Sequence, residues 1–182
     1  MIQQKNKSSN GIAYHKTGKG PAIILIHGLG LRSESWLEQI KILKKDFTVY
    51  SIDLPGHGKS NLLSQKKSTL KGYCSEIIKF IKLSNINKPI LIGHSLGALI
   101  TIEIAGNTPN ILKSGIAISS VYKRTKDALR KVQKRAKEIK EKPTQEVMVN
   151  NLIKRWFGNS KSLKINNSSK FIEKLLLLNK KY

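Results

Sequence analysis

The chain has 182 residues and is poor in cysteine, acidic residues, aromatic residues and histidine. A single cysteine, Cys74, cannot close an internal disulfide, so nothing in the sequence points to an oxidising compartment. Its neighbours Leu70, Ile77 and Ile81 recur at helical spacing, which predicts a buried apolar thiol rather than a reactive one. No apolar run approaches the length of a membrane span, and the polar opening Ile2-Gln3-Gln4-Lys5-Asn6-Lys7 resembles neither a signal peptide nor an anchor. The expected location is therefore cytoplasmic, without membrane insertion. No cluster of His, Cys, Asp and Glu at ligand spacing and no phosphate-binding glycine loop is present, so neither metal nor cofactor is expected. Four histidines occur, at positions 15, 27, 57 and 94, and none follows His94.

Acidic residues number only 11 against 34 lysines and arginines, a net charge of +23. Such an excess raises nucleic acid as a partner. Two features weigh against a specific one. Only five of the basic residues are arginine, whose bidentate fork reads bases, and the lysines are spread along the whole chain. A basic segment, Lys123–Lys142, carries ten basic and three acidic residues, and reads as the solvated face of a helix.

What is present is an alternation of strands and helices. Ile12–His15 forms a short extended segment, and Ala22–Ile26 is a continuous apolar run bounded by Pro21 and Gly28, suited to a strand buried on both faces. Ser33 or Ser35 caps a helix bearing Trp36, Leu37, Ile40 and Leu43. Phe47–Ile52 gives the next strand, Thr69–Leu83 a helix, Pro89–Gly93 a strand, Leu96–Gly106 a helix and Lys113–Ser119 a further strand. This pattern predicts an α/β chain with a mostly parallel sheet and right-handed crossovers. After Ser120 only helical patterns follow: Lys123–Lys142, a helix capped by Thr144 that carries Met148, Leu152, Trp156 and Phe157, and a last helix from Ser168 or Ser169. Gly158–Asn167 reads as the loop between those two. Residues 1–120 and 121–182 are thus expected to form separate portions.

Gly93-His94-Ser95-Leu96-Gly97 fits G-x-S-x-G between a predicted strand and a predicted helix. This context places a serine on a strained turn at the C-terminal edge of a sheet. The flanking glycines avoid collisions there. Leu96 opens a helix, and its free N–H offers one oxyanion donor. His27-Gly28-Leu29-Gly30 ends the preceding buried strand, where a second donor, the Leu29 N–H, is expected.

Together with Trp36 and Asp53-Leu54-Pro55-Gly56-His57-Gly58-Lys59-Ser60, these segments closely resemble the α/β-hydrolase-1 superfamily through about Ser120. The helical stretch beyond resembles the start of that family's cap. Lys154-Arg155-Trp156-Phe157 and the amphipathic helices before it resemble the cap of 3-oxoadipate enol-lactonases and related esterases. The resemblance implies Ser95 as nucleophile, Leu96 and Leu29 as backbone oxyanion donors and Trp156 as a residue of the substrate pocket. It also implies a small-molecule carboxylic ester or lactone as substrate. A serine at the elbow, rather than an aspartate, argues against the dehalogenase and epoxide-hydrolase branches. Asp53 and His57 are expected in a structural loop, and His27 as the brace of the oxyanion loop. His57 or His94 remains an alternative base, because triads are defined by geometry.

The family places its triad acid after a seventh strand and its histidine after an eighth, and this sequence supplies neither. The expectation is an incomplete fold, lacking the last two strands, whose isolated chain is inactive or nearly so. Its last strand would be a bare edge and Leu175–Leu178 an exposed apolar patch. The alternatives are a non-catalytic binding remnant, or half of a split hydrolase completed by a second, C-terminal polypeptide.

Overall fold

A computed structural model describes residues 5–121, 123–140, 145–158 and 162–178. The chain divides into two compact units, one ending at Ser120 and one beginning at Val121.

The first unit is built on a six-stranded sheet. Its strands are β1 (Asn6–Lys7), β2 (Ala13–Thr17), β3 (Ala22–Ile26), β4 (Thr48–Ile52), β5 (Ile90–His94) and β6 (Ser114–Ile118), in the order β1-β2-β4-β3-β5-β6. β1 and β2 run antiparallel to their neighbours, whereas β4, β3, β5 and β6 are mutually parallel. This is the mostly parallel α/β sheet that the alternation of strands and helices predicts.

Parallel strands need crossovers, and the helices α1 (Leu37–Leu43), α2 (Leu70–Leu83) and α3 (Leu96–Asn107) supply them. The pleat sends alternate residues of β3 to opposite faces. Ile24 and Ile26 join Ile52, Ile77, Phe80 and Ile100 on one side, while Ile23 and Leu25 meet Trp36 and Val49 on the other. Burial on both faces is what the uninterrupted apolar run of β3 predicts. Each such aliphatic side chain contributes about 1.5–3 kcal/mol on leaving water.

One local reading here is corrected. No serine side chain caps α1, because a short tight turn over Ser33–Trp36 precedes it and Trp36 takes the cap position. By contrast, the Thr69 hydroxyl accepts the Gly72 N–H at the start of α2. Cys74 is buried, and desolvation pushes its thiol up to about 11.

The second unit contains α4 (Lys126–Lys140), α5 (Gln145–Phe157) and α6 (Leu163–Leu177), with α5 and α6 packed on one another. The expected cap residue Thr144 lies outside the described residues. The expected loop through Asn167 is shorter than predicted: α6 begins at Leu163, since Leu163-Lys164-Ile165 continues the helical pattern upstream of the serines. Leu175 and Leu176 are buried, so only Leu177 and Leu178 of the expected apolar patch are exposed. Among the described residues no helix is long and apolar enough to cross a membrane, and no group of three His, Cys, Asp or Glu is placed to hold a metal ion.

Candidate active site

The sheet order fixes where a site can form. β3 connects outward to β4 on one side, and the adjacent β5 connects to β6 on the other. Chain segments leaving the C-terminal ends of β3 and β5 therefore part company and open a crevice between them. Both segments carry the predicted motifs: His27–Gly30 follows β3, and Ser95 follows β5.

Ser95 is the turning point. Its φ of 54° and ψ of −109° lie in a region that side chains rarely occupy, a strain held by the packing around it. The flanking glycines show why. A Cβ on Gly93 would collide with the Gly97 carbonyl, and one on Gly97 with the Ile26 carbonyl at the end of β3. The start of α3 therefore lies directly on the backbone of β5 and β3. On Gly28, an added Cβ would come within 3.2 Å of the Ser95 Cβ and 3.1 Å of His94 Nδ1, so the β3 loop runs against the elbow. The Ser95 hydroxyl makes no capping bond to the helix it begins. Among the described residues, neither the Leu96 N–H at the start of α3 nor the Leu29 N–H meets a backbone partner. The side chain of Leu29 is 67% exposed. Trp156 lies on α5 of the second unit, 43% exposed.

The β3 loop is a tight turn. The Leu31 N–H donates to the Gly28 carbonyl at 3.1 Å, and Gly30 in the third position has φ 77°, the geometry that calls for glycine. The histidines nearby are committed to backbone. His57 Nε2 accepts the Gly30 N–H at 3.1 Å, and its Nδ1 lies 3.1 Å from the Pro55 carbonyl, to which only an N–H can donate. His27 Nε2 accepts the Leu54 N–H at 2.9 Å, and its Nδ1 donates to the Gly28 carbonyl at 2.7 Å. Both rings are thereby fixed as neutral Nδ1–H tautomers. Burial, and then the neighbouring His57, push His27 down to about 3. Burial also lowers His57, against the pull of the Pro55 carbonyl and Asp53. Burial lowers His94 at the end of β5 and His15 on β2, with Lys5 adding to the effect at His15. The expected brace is therefore shared: His27 holds the β4 loop, and it is His57 that holds Gly30.

Asp53 organises the loop after β4. Its carboxylate accepts the Ser33 N–H, the Lys59 N–H and the Lys5 ammonium, the last at 2.6 Å. The same Lys5 reaches Glu34 at 2.9 Å, where Arg32 Nε also donates at 3.0 Å. Burial opposes ionisation of both carboxyls, but Lys5 and the surrounding donors outweigh it and hold both below the usual range. This buried ionic cluster was not foreseen in the sequence. Lys5 lies 48 residues from Asp53, and a lone lysine in a lysine-rich chain carries no signal. Ser60 of the motif closes the loop by donating to the Asp53 carbonyl at 2.6 Å and accepting the Ala13 N–H at 2.8 Å.

Of the acidic residues after Ser95, Glu103, Asp127, Glu138, Glu146 and Glu173 lie on helices, and Glu141 is outside the described residues.

Residues 21–148 match the model of the alpha/beta hydrolase fold family. The chain is 35% identical over 167 residues to the (E)-2-((N-methylformamido)methylene)succinate hydrolase of Acinetobacter baylyi, an alignment covering 91% of this chain and 62% of that protein. It thus spans less than two thirds of that relative's length. Among solved structures, an esterase from Exiguobacterium antarcticum superposes with a TM-score of 0.80 at 15% identity, covering 97% of this chain and 68% of the other. The enol-lactonase from Burkholderia xenovorans superposes with a TM-score of 0.78 at 17% identity, covering 96% and 68%. At these identities the two structures speak for the fold alone.

Proposed function

This chain belongs to the α/β-hydrolase fold family, and on that premise we propose that Ser95 is the nucleophile of a hydrolase acting on a carboxylic ester or lactone of a small organic acid. The observation that carries this reading is the backbone of Ser95, held at φ 54° by glycine contacts on both sides. Paired with a ψ of −109°, this backbone lies outside the ordinary left-handed region, and strain of that kind persists where the surrounding structure over-determines it, as at active sites. The Ser95 oxygen would attack the substrate carbonyl, and the Leu96 and Leu29 N–H groups would receive the developing oxyanion. Loss of the alcohol leaves an acyl-serine, which water then hydrolyses. Trp156 would contribute to the substrate pocket. The Acinetobacter relative is named for a succinate bearing an amide group, which favours a small carboxylate-containing substrate for this chain as well.

A serine hydroxyl needs a base. The ring nitrogens of His27 and His57 are engaged by backbone groups, which argues against either in that role. His94 ends β5 directly before Ser95, where successive side chains point to opposite faces, which argues against it as well. We therefore propose that the acid and base act from polypeptide beyond the described residues. The test is a fluorophosphonate probe. This 182-residue chain should label slowly at Ser95, and rapid labelling lost in Ser95→Ala would overturn the inactive reading.

A second reading, completion by another polypeptide, is favoured by β6. Its five residues are exposed, and among the described residues it pairs only with β5. Co-expression with a C-terminal segment from a full-length relative should then give soluble material in which Ser95 labels rapidly. Equal labelling with and without the segment would dismiss it.

A further inference from the structure

The loop after β3, which borders the Ser95 crevice, and the loop after the neighbouring β4 exchange histidines. From the loop after β3, His27 reaches across to accept the Leu54 N–H of the loop after β4. From the loop after β4, His57 reaches back to accept the Gly30 N–H of the loop after β3. The rings lie 5.1 Å apart between centroids, and both histidines are buried. Each Nε2 faces an N–H, so a proton on either would replace an attraction with an N–H facing an N–H.

The bond to Gly30 has a particular consequence. In a turn with positive φ at its third position, the central peptide can flip by about half a rotation to give the commoner turn type. Here that peptide joins Leu29 to Gly30, and its N–H is the group that His57 accepts. The same turn abuts Ser95 through Gly28.

We infer that His57 is a positioning residue whose neutral ring pins the Leu29–Gly30 peptide beside Ser95, and that protonation of His57 releases this turn. Its functional meaning rests on the reading of Leu29 as an oxyanion donor. Among the described residues, His27, Asp53 and Pro55 bear on the ring. His27 faces it from the β3 loop, and a charge on either imidazole opposes a charge on the other. Asp53 at the end of β4 favours the charged ring, but its carboxylate is engaged by Lys5, Ser33 and Lys59. Pro55 contributes its carbonyl to Nδ1. Burial of the ring is the larger influence and keeps it neutral at pH 7. His57 donates nothing to substrate in this scheme, and acts only through the geometry of the turn.

The test uses the 15N-labelled 182-residue chain and needs no catalytic turnover, so failed labelling of Ser95 would leave its result intact. At pH 7.5 the imidazole nitrogen shifts of His57 should report a protonated Nδ1 and a bare Nε2; a protonated Nε2 overturns the proposal. Gly30 amide exchange, expressed as protection relative to intrinsic rates, is then followed from pH 7.5 to 4.5. Protection should fall roughly tenfold or more as His57 takes up its proton, in keeping with loss of one buried hydrogen bond. In His57→Gln, whose side-chain oxygen can accept but not titrate, it should stay constant across that range. In His57→Phe it should be low throughout, with the Ile24 and Leu91 amides of the central strands still protected. Should His57→Phe fail to fold, the wild-type titration and His57→Gln decide alone. Gly30 protection that ignores the titration of His57, or a His57 that stays neutral until acid unfolding, overturns the release.

Discussion

The backbone N–H of Ser95 donates to the carbonyl oxygen of Ile118 at 3.0 Å. The elbow is thus tied to the last residue of β6, so the strand at the exposed edge of the sheet helps to hold the strained serine. Whatever covers or disturbs that edge acts on the elbow through this bond and through the pairing of Gly93 and His94 with Ala117 and Ile118.

Edge exposure has a direct consequence in solution. β6 carries no charge and no proline, and Ile116 and Ile118 are 47% and 40% exposed. Flat, uncharged edges pair with other chains. Ile116→Lys should reduce self-association of this chain, seen as a lower apparent mass in light scattering at matched concentration. An unchanged mass would remove β6 from the association surface.

Close packing at the elbow predicts opposite outcomes for two glycines of α3. A methyl group on Gly97 meets the Ile26 carbonyl, which is backbone and has little room to move. Gly97→Ala should therefore destabilise the chain by about 1–3 kcal/mol, the usual cost of overpacking. At Gly106 an added Cβ meets nothing within 4 Å. Gly106→Ala should stabilise by about 0.5–1 kcal/mol through helix propensity alone. Urea midpoints of the two variants give both numbers.

Removing Lys5 should be far more damaging than its place near the N-terminus suggests. Its side chain is buried between Asp53 and Glu34, which would be left as buried anions. Breaking a buried pair from one side costs about 3–5 kcal/mol. Lys5→Met should lower stability by that order and bring the carboxyl titrations of both acids upward. A loss under 1 kcal/mol would mean that Arg32 and the loop amides hold the cluster unaided.

Acid should weaken the fold well before the carboxylates titrate. His27 is held near 3 and His57 below its ordinary value of 6.5, so between those limits the unfolded chain binds more protons than the folded one. Stability then rises with pH, and falls as pH drops below about 6.5, by about 1.4 kcal/mol per pH unit for each histidine kept neutral. The depressed carboxyls of Asp53 and Glu34 add a further loss only as pH falls through their ordinary values and below. Chemical denaturation at pH 7 and pH 5 should show the histidine part. His27→Gln should flatten that dependence if it folds, and His57→Gln should flatten it too, each also relieving the other ring of its neighbour's charge.

The sequence was most legible where chemistry is local. The apolar run of β3, the helix beginning near Thr69 and the G-x-S-x-G elbow are decided by neighbours within a few residues, so the pattern alone yields the strand, the helix start and the position of Ser95. It was less legible at helix boundaries. Leu163-Lys164-Ile165 extends α6 upstream of Ser168, because a helical pattern competes there with loop-forming residues. Leu175 and Leu176 were expected to be exposed and are buried, since burial depends on what else the fold brings near.

By itself the sequence determined the alternation of strands and helices, the mostly parallel sheet and the elbow serine, because propensity, periodicity and steric need for glycine act along the chain. Only the tertiary structure decided what the histidines do. His27 and His57 are 30 residues apart, and each is satisfied by the other's loop; Lys5 finds Asp53 across 48 residues. Hydrogen bonds and buried charges are settled by distance in space, and that distance exists only once the sheet has formed.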